Sequence, residues 1–221
     1  MTLTQAVPTM RGLVRIWRTL AGKIGWNQTF IQQKPVDSAG EPLPWYTYPA
    51  IEFLRSLDLG KARVFEYGCG YSSVFWAKQA ASVVAVENDM GWAEAVKKFG
   101  VPNLEVHAIQ DLDEYIQTPL KVGGTFDVVI VDGRRRRDCA AVALQVVAEN
   151  GMIIFDNADW YRDSCADLRK AGWFEVDFSG FGPINPYVWT TAVFLKTNVQ
   201  FPNRQVIDPM GGIPQQEEPG A

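Results

Sequence analysis

The sequence predicts a doubly wound α/β fold with a mostly parallel, seven-stranded sheet that ends in an antiparallel hairpin. Two observations support this prediction. From Val64 onward, short apolar runs alternate with stretches of helical periodicity, which is typical of parallel strands joined by helices. Only a glycine- and proline-rich segment, residues 179–186, separates the last two apolar runs, so we expect them to pair as an antiparallel hairpin.

The expected elements follow in order along the chain. A helix marked by Ile51, Leu54 and Leu57 precedes the first strand. The predicted strands are residues 63–67, 82–87, 104–108, 126–132, 150–155, 173–178 and 188–196. The predicted helices between them lie near residues 72–80, 90–98, 111–116, 137–148 and 161–170. This alternation is Rossmann-like, and in such sheets ligands bind outside the carboxyl ends of the strands.

Length and composition fit one domain. The chain has 221 residues, of which 47% are hydrophobic, so one α/β unit can bury a full core. We assign this domain to residues 45–197. Residues 1–44 are predicted to form an amphipathic helix and an extended loop. Residues 198–221 are rich in proline and poor in apolar residues, which predicts a disordered tail.

The charge and the cysteine content indicate which partners and which cellular compartment to expect. The net charge of -4 leaves no overall basic footprint, so we do not expect a nucleic-acid partner. Cys69, Cys139 and Cys165 are scattered, which favours reduced thiols. No apolar run approaches the roughly 20 residues that span a bilayer, and no signal-peptide core is present. We therefore predict a cytoplasmic protein.

The N-terminal segment combines helical apolar periodicity with basic residues. Its apolar positions are Leu13, Ile16, Trp17, Leu20 and Ile24, and its basic positions are Arg11, Arg15, Arg18 and Lys23. One interpretation is an interfacial helix that lies on an anionic membrane, in peripheral contact. The other is a helix that docks on its own domain or on a second subunit of a homodimer.

A glycine turn follows the first predicted strand. Gly68 and Gly70 allow close approach of the backbone to a ligand, and Glu87 follows the next strand 19 residues after Gly68. This spacing is typical of a site for an adenosine ligand, whose ribose hydroxyls Glu87 would accept. Ser73 stands where a dinucleotide site has a third glycine, and Glu66 would repel a pyrophosphate and attract a cation. A positively charged adenosine ligand fits best.

These residues resemble the motif of the class I S-adenosylmethionine-dependent methyltransferases over roughly residues 45 to 197. The resemblance implies that the glycine loop lies against the methionine part of S-adenosylmethionine and that Glu87 binds its ribose. Asp111 either accepts a hydrogen bond from the adenine amino group or caps a helix. The alternative is a glycine turn in another kind of α/β domain. The candidate cofactor residues are Glu66, Gly68, Gly70, Ser72, Glu87, Asn88, Asp111 and Asp132.

Oxygen-bearing side chains follow the fourth and fifth predicted strands. Asp132, Asp156 and Asn157 offer three hard oxygen ligands, a reasonable set for Mg²⁺ or Ca²⁺. They resemble the metal triad of catechol O-methyltransferase and its relatives, which implies an Mg²⁺ that binds the acceptor hydroxyl and lowers its pKa. Alternatively, Asp132 orients an acceptor or caps a helix, and the Asp156–Asn157 pair shapes a turn.

Asp132 and Arg135 are the candidate catalytic residues. Arg135 stands where those relatives have a lysine that serves as base, but a guanidinium is too basic to accept a proton at neutral pH. The base would then be Asp132, a metal hydroxide or water. The arginine run at residues 134–137 either binds an anionic acceptor or is a solvated helix start. His107 is interpreted as a structural residue.

Two aromatic segments, residues 45–48 and 178–187, either fold over the acceptor as a lid or pack under a loop. Together, these patterns favour an S-adenosylmethionine-dependent enzyme that O-methylates a small or glycan-like acceptor, either neutral or anionic. An NAD-dependent oxidoreductase and a non-catalytic partner protein that binds an adenosine ligand are the alternatives.

Overall fold

The computed structural model describes residues 3–197, 202–205, 207, 209, 210 and 212. Seven strands form one sheet with the order β3-β2-β1-β4-β5-β7-β6. The first five positions in this order are parallel, and β7 is antiparallel to both β5 and β6. The predicted seven-stranded sheet with an antiparallel hairpin is confirmed. The strands are β1 (Arg63–Tyr67), β2 (Ser82–Glu87), β3 (Leu104–Ala108), β4 (Phe126–Val131), β5 (Val147–Asp156), β6 (Trp173–Gly180) and β7 (Trp189–Lys196).

In the described part of the chain, eight α-helices flank or precede these strands. A π-helical turn, Thr19–Lys23, continues the first helix. The helices are α1 (Leu3–Arg18), α2 (Trp26–Gln32), α3 (Tyr48–Arg55), α4 (Tyr71–Ala77), α5 (Met90–Lys97), α6 (Leu112–Val122), α7 (Arg136–Val146) and α8 (Arg162–Lys170).

The sheet is buried on both faces. Along β4, Val129 and Val131 belong to an apolar layer shared with α6, α7 and α8. Val128 and Ile130 belong to the opposite layer, which α3 and α4 cover. Burial on both faces explains why the central strands are continuous apolar runs without alternation. Each such side chain contributes about 1.5–3 kcal/mol on burial.

Several boundaries differ from the sequence prediction by a few residues, and those of β5 and α6 are the most informative. Strand β5 begins at Val147 because that residue pairs with Phe126 before an irregularity in the register. A Cβ at Gly151 would lie 2.9 Å from the Asp127 carbonyl oxygen, so a glycine is needed at this close approach. Helix α6 continues to Val122 although it contains Pro119, a residue that normally ends a helix.

The strand order brings the ends of β1 and β4 together at the topological switch point. The chain runs outward from β1 to β3 and then returns to place β4 on the other side of β1. Ligands of open α/β sheets bind at such a point. The glycine turn after β1 and Asp132 after β4 therefore share one site.

The regions outside the central domain are tied to it at several points. Glu41, in the segment that follows α2, forms an ion pair with Lys78 at the end of α4. The amide N–H of Asp58 donates to the Asn203 carbonyl, and that of Gln205 donates to the Ser56 carbonyl. Most of the predicted disordered tail lies outside the described residues, and the division at residues 44 and 197 stays a prediction.

Candidate functional site

The glycine turn leaves β1 under tight geometric constraint. Gly68 has φ +95°, and a Cβ there would lie 3.2 Å from the Asp132 carbonyl oxygen. The Gly70 N–H donates to the Ser73 hydroxyl oxygen at 3.0 Å, and that hydroxyl donates to the Glu66 carboxylate. Ser73, at the position of the missing third glycine, therefore holds Glu66 in place. The sequence reading did not identify this role.

Glu66 lies beneath the glycine turn with only 1% of its surface exposed. Burial raises the pKa of this carboxyl to about 8, while hydrogen bonds from Ser72 and Ser73 oppose the increase. A cation bound nearby would favour the ionised form, so Glu66 is suited to a positively charged ligand.

Glu87 lies at the tip of β2 and faces the glycine turn. Its Oε2 accepts the Cys69 N–H at 3.1 Å, and its Oε1 accepts the N–H groups of Asn88 and Asp89 at 2.8 and 2.9 Å. These bonds fix the carboxylate where β2 ends. Since a carboxylate has about four acceptor positions, Oε2 can accept a further hydrogen bond from a ligand.

Asn88 and Asp111 hold the loops beside this carboxylate. The Asn88 amide donates to the Gln110 carbonyl at 2.7 Å, and Asp111 caps α6 by accepting the Glu114 N–H at 2.8 Å. The capping alternative for Asp111 is thus observed. Neither residue lines the two cavities described next, and their contact with a cofactor stays a prediction.

Two cavities meet at the carboxyl ends of β1 and β4. One, of about 710 Å³, is lined by Glu66, Gly68, Glu87 and the arginine run. The other, of about 850 Å³, is lined by the loops after β5 and before β7 and by residues that follow α2. We call them the glycine-loop cavity and the aromatic cavity. Their shared lining consists of Cys69, Ser72, Asp132 and Arg136.

Arg136, at the start of α7, connects the ends of β4 and β5. Its Nη2 donates to Asp132 Oδ1 at 2.8 Å, and its Nη1 donates to Asn157 Oδ1 at 2.9 Å and to the Asp156 carbonyl. Its Nε donates to the Gly133 carbonyl at 3.1 Å, and a longer bond of 3.4 Å reaches the Asp132 carbonyl. These bonds use all five N–H donors of the guanidinium.

The residues predicted as a metal triad surround this guanidinium. Arg136 binds Asp132 and Asn157 through their side chains, whereas the Asp156 carboxylate accepts from the Thr191 hydroxyl at 2.6 Å and the Trp189 indole at 3.1 Å. Within the described residues, no group of three or more His, Cys, Asp or Glu side chains could hold a metal. The arrangement does not fit an Mg²⁺ ion, because the Arg136 guanidinium lies among the three residues and already binds the side chains of Asp132 and Asn157.

The pKa values of Asp132 and Asp156 are shifted by different surroundings. Burial raises the pKa of Asp132, but the adjacent charge of Arg136 and its hydrogen bond oppose the increase. Burial and the charge of Asp132 raise the pKa of Asp156 well above its ordinary value. Arg136 therefore favours the ionised form of Asp132 more strongly than that of Asp156.

The aromatic cavity has a wall of tilted and edge-on rings. The Trp160 and Tyr187 ring centroids are 6.4 Å apart, and those of Tyr187 and Trp189 are 6.0 Å apart. Trp45 and Lys34 also line this cavity. Of the two predicted lid segments, residues 45–48 contribute only Trp45, because the other three residues are buried under the loop before β7.

The other arginines of the run lie at the rim. Arg135 pairs with Asp138 at 2.6 Å, and Arg137 pairs with Asp167 at 2.9 Å, both exposed. Arg134 is exposed, and its side chain has no partner among the described residues. Arg136, and not the candidate Arg135, is therefore the arginine that contacts Asp132. Its spacing of four residues from Asp132 was the available signal in the sequence. His107 lies beside Glu105 on β3, away from both cavities.

The strand order, the antiparallel β7 and the glycine turn at the switch point together form the fold of the class I S-adenosylmethionine-dependent methyltransferases. Solved structures of low sequence identity share it. A precorrin-6y C5,15-methyltransferase from Geobacter metallireducens has a TM-score of 0.55 and 12% identity over 67% of this chain and 87% of its own. The O-methyltransferase TomG from Streptomyces achromogenes, in complex with SAM, has a TM-score of 0.53 and 20% identity over 68% and 78%.

An rRNA methylase from Streptococcus thermophilus has a TM-score of 0.51 and 15% identity over 69% of this chain and 97% of its own. The names of these three proteins indicate different acceptors, so the shared fold does not select one. No protein-family model and no curated protein matches the sequence.

We expect the Glu66→Gln variant to lose part of the pH dependence of stability. The folded pKa of Glu66, about 8, exceeds the ordinary value of 4.5, so the native state holds a proton that the unfolded state releases. The contribution of Glu66 to stability is therefore complete below pH 4.5, the pKa in the unfolded state. It is lost as the pH rises to about 8, the pKa in the folded state. The free energy of unfolding should fall by about 1.4 kcal/mol per pH unit within this window in the wild type relative to the variant.

Urea denaturation of both proteins across this pH window measures the difference, with Glu105→Gln, an exposed carboxyl, as the matched control. Parallel stability curves for the wild type and Glu66→Gln would contradict the raised pKa.

We expect the Arg136→Ala variant to be less stable by about 3–5 kcal/mol, because it leaves buried oxygens and a carboxylate without their cation. The vacated space would be lined by three oxygens, so millimolar Mg²⁺ should raise the melting temperature of this variant but not that of the wild type. Lys121→Ala, which removes an exposed ion pair with Glu114, is the control. An Mg²⁺-dependent melting shift in the wild type would show that the arginine does not exclude the ion.

Proposed function

We propose that this protein is an S-adenosylmethionine-dependent methyltransferase that acts on an oxygen of a small or glycan-like acceptor. The observation that carries the proposal is the meeting of two cavities at Asp132 and Arg136. One cavity has the features of a site for a cationic adenosine ligand, and the other has space for an acceptor. A direct methyl transfer needs the two ligands to meet in line, and binding them in adjoining cavities supports this alignment.

The glycine-loop cavity fits S-adenosylmethionine by its chemistry. Gly68 admits a ligand close to the backbone, Glu66 favours a positive charge, and Glu87 is fixed by three backbone N–H groups with acceptor capacity remaining. When bound, the ligand supplies a methyl group on a sulfonium, a leaving group that needs no further activation. The task of the protein is then to bind and orient both partners.

Asp132 is the proposed base. Its Oδ1 is held by Arg136, and its Oδ2 has no hydrogen-bond partner among the described residues. An acceptor hydroxyl in the aromatic cavity would donate its proton to Oδ2 as the oxygen forms a bond to the methyl carbon and the carbon–sulfur bond breaks. Arg136 is a positioning residue in this proposal, because its donors are all used within the protein.

The aromatic wall supports an acceptor with a flat apolar face, such as a phenol or a sugar ring. Trp160, Tyr187 and Trp189 offer ring surfaces beside Asp132, and Lys34 provides a cation at the same cavity. A carboxylate or phosphate on the acceptor would pair with Lys34. We therefore propose an anionic phenol or glycan as the acceptor class, and transfer that does not depend on Mg²⁺.

We expect the Glu87→Ala variant to bind S-adenosylhomocysteine roughly 10- to 100-fold more weakly, since a hydrogen bond to a charged group contributes about 1.5–3 kcal/mol. Isothermal titration of the purified variant measures this change, with Glu105→Ala as the matched control. Unchanged affinity would remove Glu87 from the ribose role. Heat from NAD together with no heat from S-adenosylhomocysteine would instead favour the oxidoreductase.

We expect the Asp132→Asn variant to lower kcat by about 10²- to 10⁴-fold, the usual contribution of a general base, with little change in S-adenosylhomocysteine affinity. The assay follows labelled methyl transfer from S-adenosylmethionine to phenols, hexoses and uronic acids, with EDTA or with Mg²⁺. Asp113→Asn, an exposed carboxylate on α6, is the control.

Wild-type turnover in Asp132→Asn would exclude this residue as the base, and loss of activity with EDTA would contradict a metal-independent reaction. Cofactor binding without transfer to any fraction of a cell extract would favour the non-catalytic partner protein.

A further inference from the structure

We propose that α1 is a membrane anchor that lies in the surface of a bilayer rich in anionic lipids. The helix leaves a row of large apolar side chains uncovered: Met10 is 63% exposed, Leu13 56%, Ile16 58% and Trp17 54%. A surface helix of a globular domain normally buries this face against its own core. In α1, the Trp17 ring contacts the Trp26 ring at a centroid distance of 6.5 Å, and the rest of the apolar face is open to a partner.

The apolar and basic residues of α1 lie on opposite sides of the helix. At about 100° per residue, Leu13, Ile16 and Trp17 fall on one side, whereas Arg11, Arg15 and Arg18 cluster about 180° away. A polar face of arginines opposite an apolar face with tryptophan is typical of helices that lie in the membrane interface. The apolar side would enter the acyl boundary, and the arginines would remain at the level of the headgroups.

The charge distribution along the chain indicates an anionic partner. Residues 1–36 contain five basic residues and no acidic one, although the whole chain carries a net charge of -4. The remaining residues therefore carry a net charge of -9. A negatively charged membrane would attract the N-terminal segment and repel the rest of the chain, which favours one orientation.

A second copy of the helix is a poorer occupant of this face. Pairing two α1 helices through their apolar faces would leave the arginines of both without an acidic partner, because residues 1–36 contain no acid, whereas an anionic bilayer covers the apolar face and pairs with the arginines. Within the described residues, no helix has the length and apolar character needed to cross a bilayer, so the proposal concerns a helix that lies on the surface.

The base of α1 is attached to the domain next to the aromatic cavity. Gly25, just before α2, packs against the segment that follows α2. It has φ +91°, and a Cβ there would lie 2.3 Å from the Ser38 nitrogen. The Trp26 ring contacts Phe30 and Phe181 at centroid distances of 4.9 and 6.4 Å. Since Lys34 lines the aromatic cavity, membrane binding through α1 would hold that cavity near the headgroups.

Co-sedimentation of the full chain with vesicles tests the proposal. We expect binding to phosphatidylglycerol vesicles and little binding to phosphatidylcholine vesicles. The triple variant Arg11→Gln/Arg15→Gln/Arg18→Gln should bind phosphatidylglycerol roughly 100-fold more weakly, since each basic residue near an anionic surface contributes about fivefold. Lys61→Gln/Lys98→Gln, which removes two exposed charges of the domain, is the matched control.

A second pair of variants tests the apolar face. Leu13→Ser/Ile16→Ser should abolish sedimentation with vesicles, whereas Phe174→Ser, at an equally exposed position on β6, should bind as the wild type does. Light scattering reports the oligomeric state of each, and far-ultraviolet circular dichroism confirms that the variants fold.

Absence of vesicle binding, or equal binding to both lipids, would overturn the proposal. So would a wild-type dimer that Leu13→Ser/Ile16→Ser converts to a monomer, because the apolar face would then be an interface between copies. S-adenosylhomocysteine binding measured on the same variants keeps this result separate from the proposed catalytic function.

Discussion

The site is organised around one buried guanidinium. Arg136 uses its five N–H donors on the ends of β4 and β5, and its guanidinium carbon lies 5.0 Å from the centre of the Tyr161 ring. Only arginine can donate hydrogen bonds to so many oxygens in one plane, because lysine offers only three donors from one atom. The position of Asp132 between the two cavities is therefore a consequence of this arginine.

The site holds more acidic side chains than its arginine can pair. Glu66, Asp132 and Asp156 are all wholly or largely removed from water, and Arg136 is the cation among them. Burial raises the pKa of each of these acids, which shows that the folded protein bears the cost of holding acids there. Such a site relieves part of that cost when a positive charge enters, and this is the property that a sulfonium ligand requires.

The sequence predicted the fold well because its signals are local and periodic. Each apolar run became a strand, and the missing helix before the last run correctly indicated the antiparallel hairpin. Boundaries were less accurate where local periodicity misleads, as at Val147 and Ala148, which the predicted helix near residues 137–148 included but which belong to β5.

The site was predicted only in part, since its decisive contacts join residues distant in sequence. The spacing of Gly68 and Glu87 and the acids after β4 and β5 were visible in the chain. That Arg136 would turn inward while Arg135 turned outward depends on the left-handed conformation of Arg135, φ +49°, just before α7. The hydrogen bonds from Thr191 and Trp189 to Asp156 come from the neighbouring strand β7, more than 30 residues away in the sequence, and no local pattern predicts them.

The position of β7 between β5 and β6 has a consequence for biosynthesis. Because β7 follows every other strand in the chain, the ribosome exposes β5 and β6 before the strand that joins them exists. Until then β5 presents an open edge, a surface prone to pairing with other chains, and Asp156 lacks its two side-chain partners. The nascent chain thus passes through an incomplete state that is exposed to chaperones and proteases. Its sheet and the surroundings of Asp156 are complete only when β7 has left the ribosome.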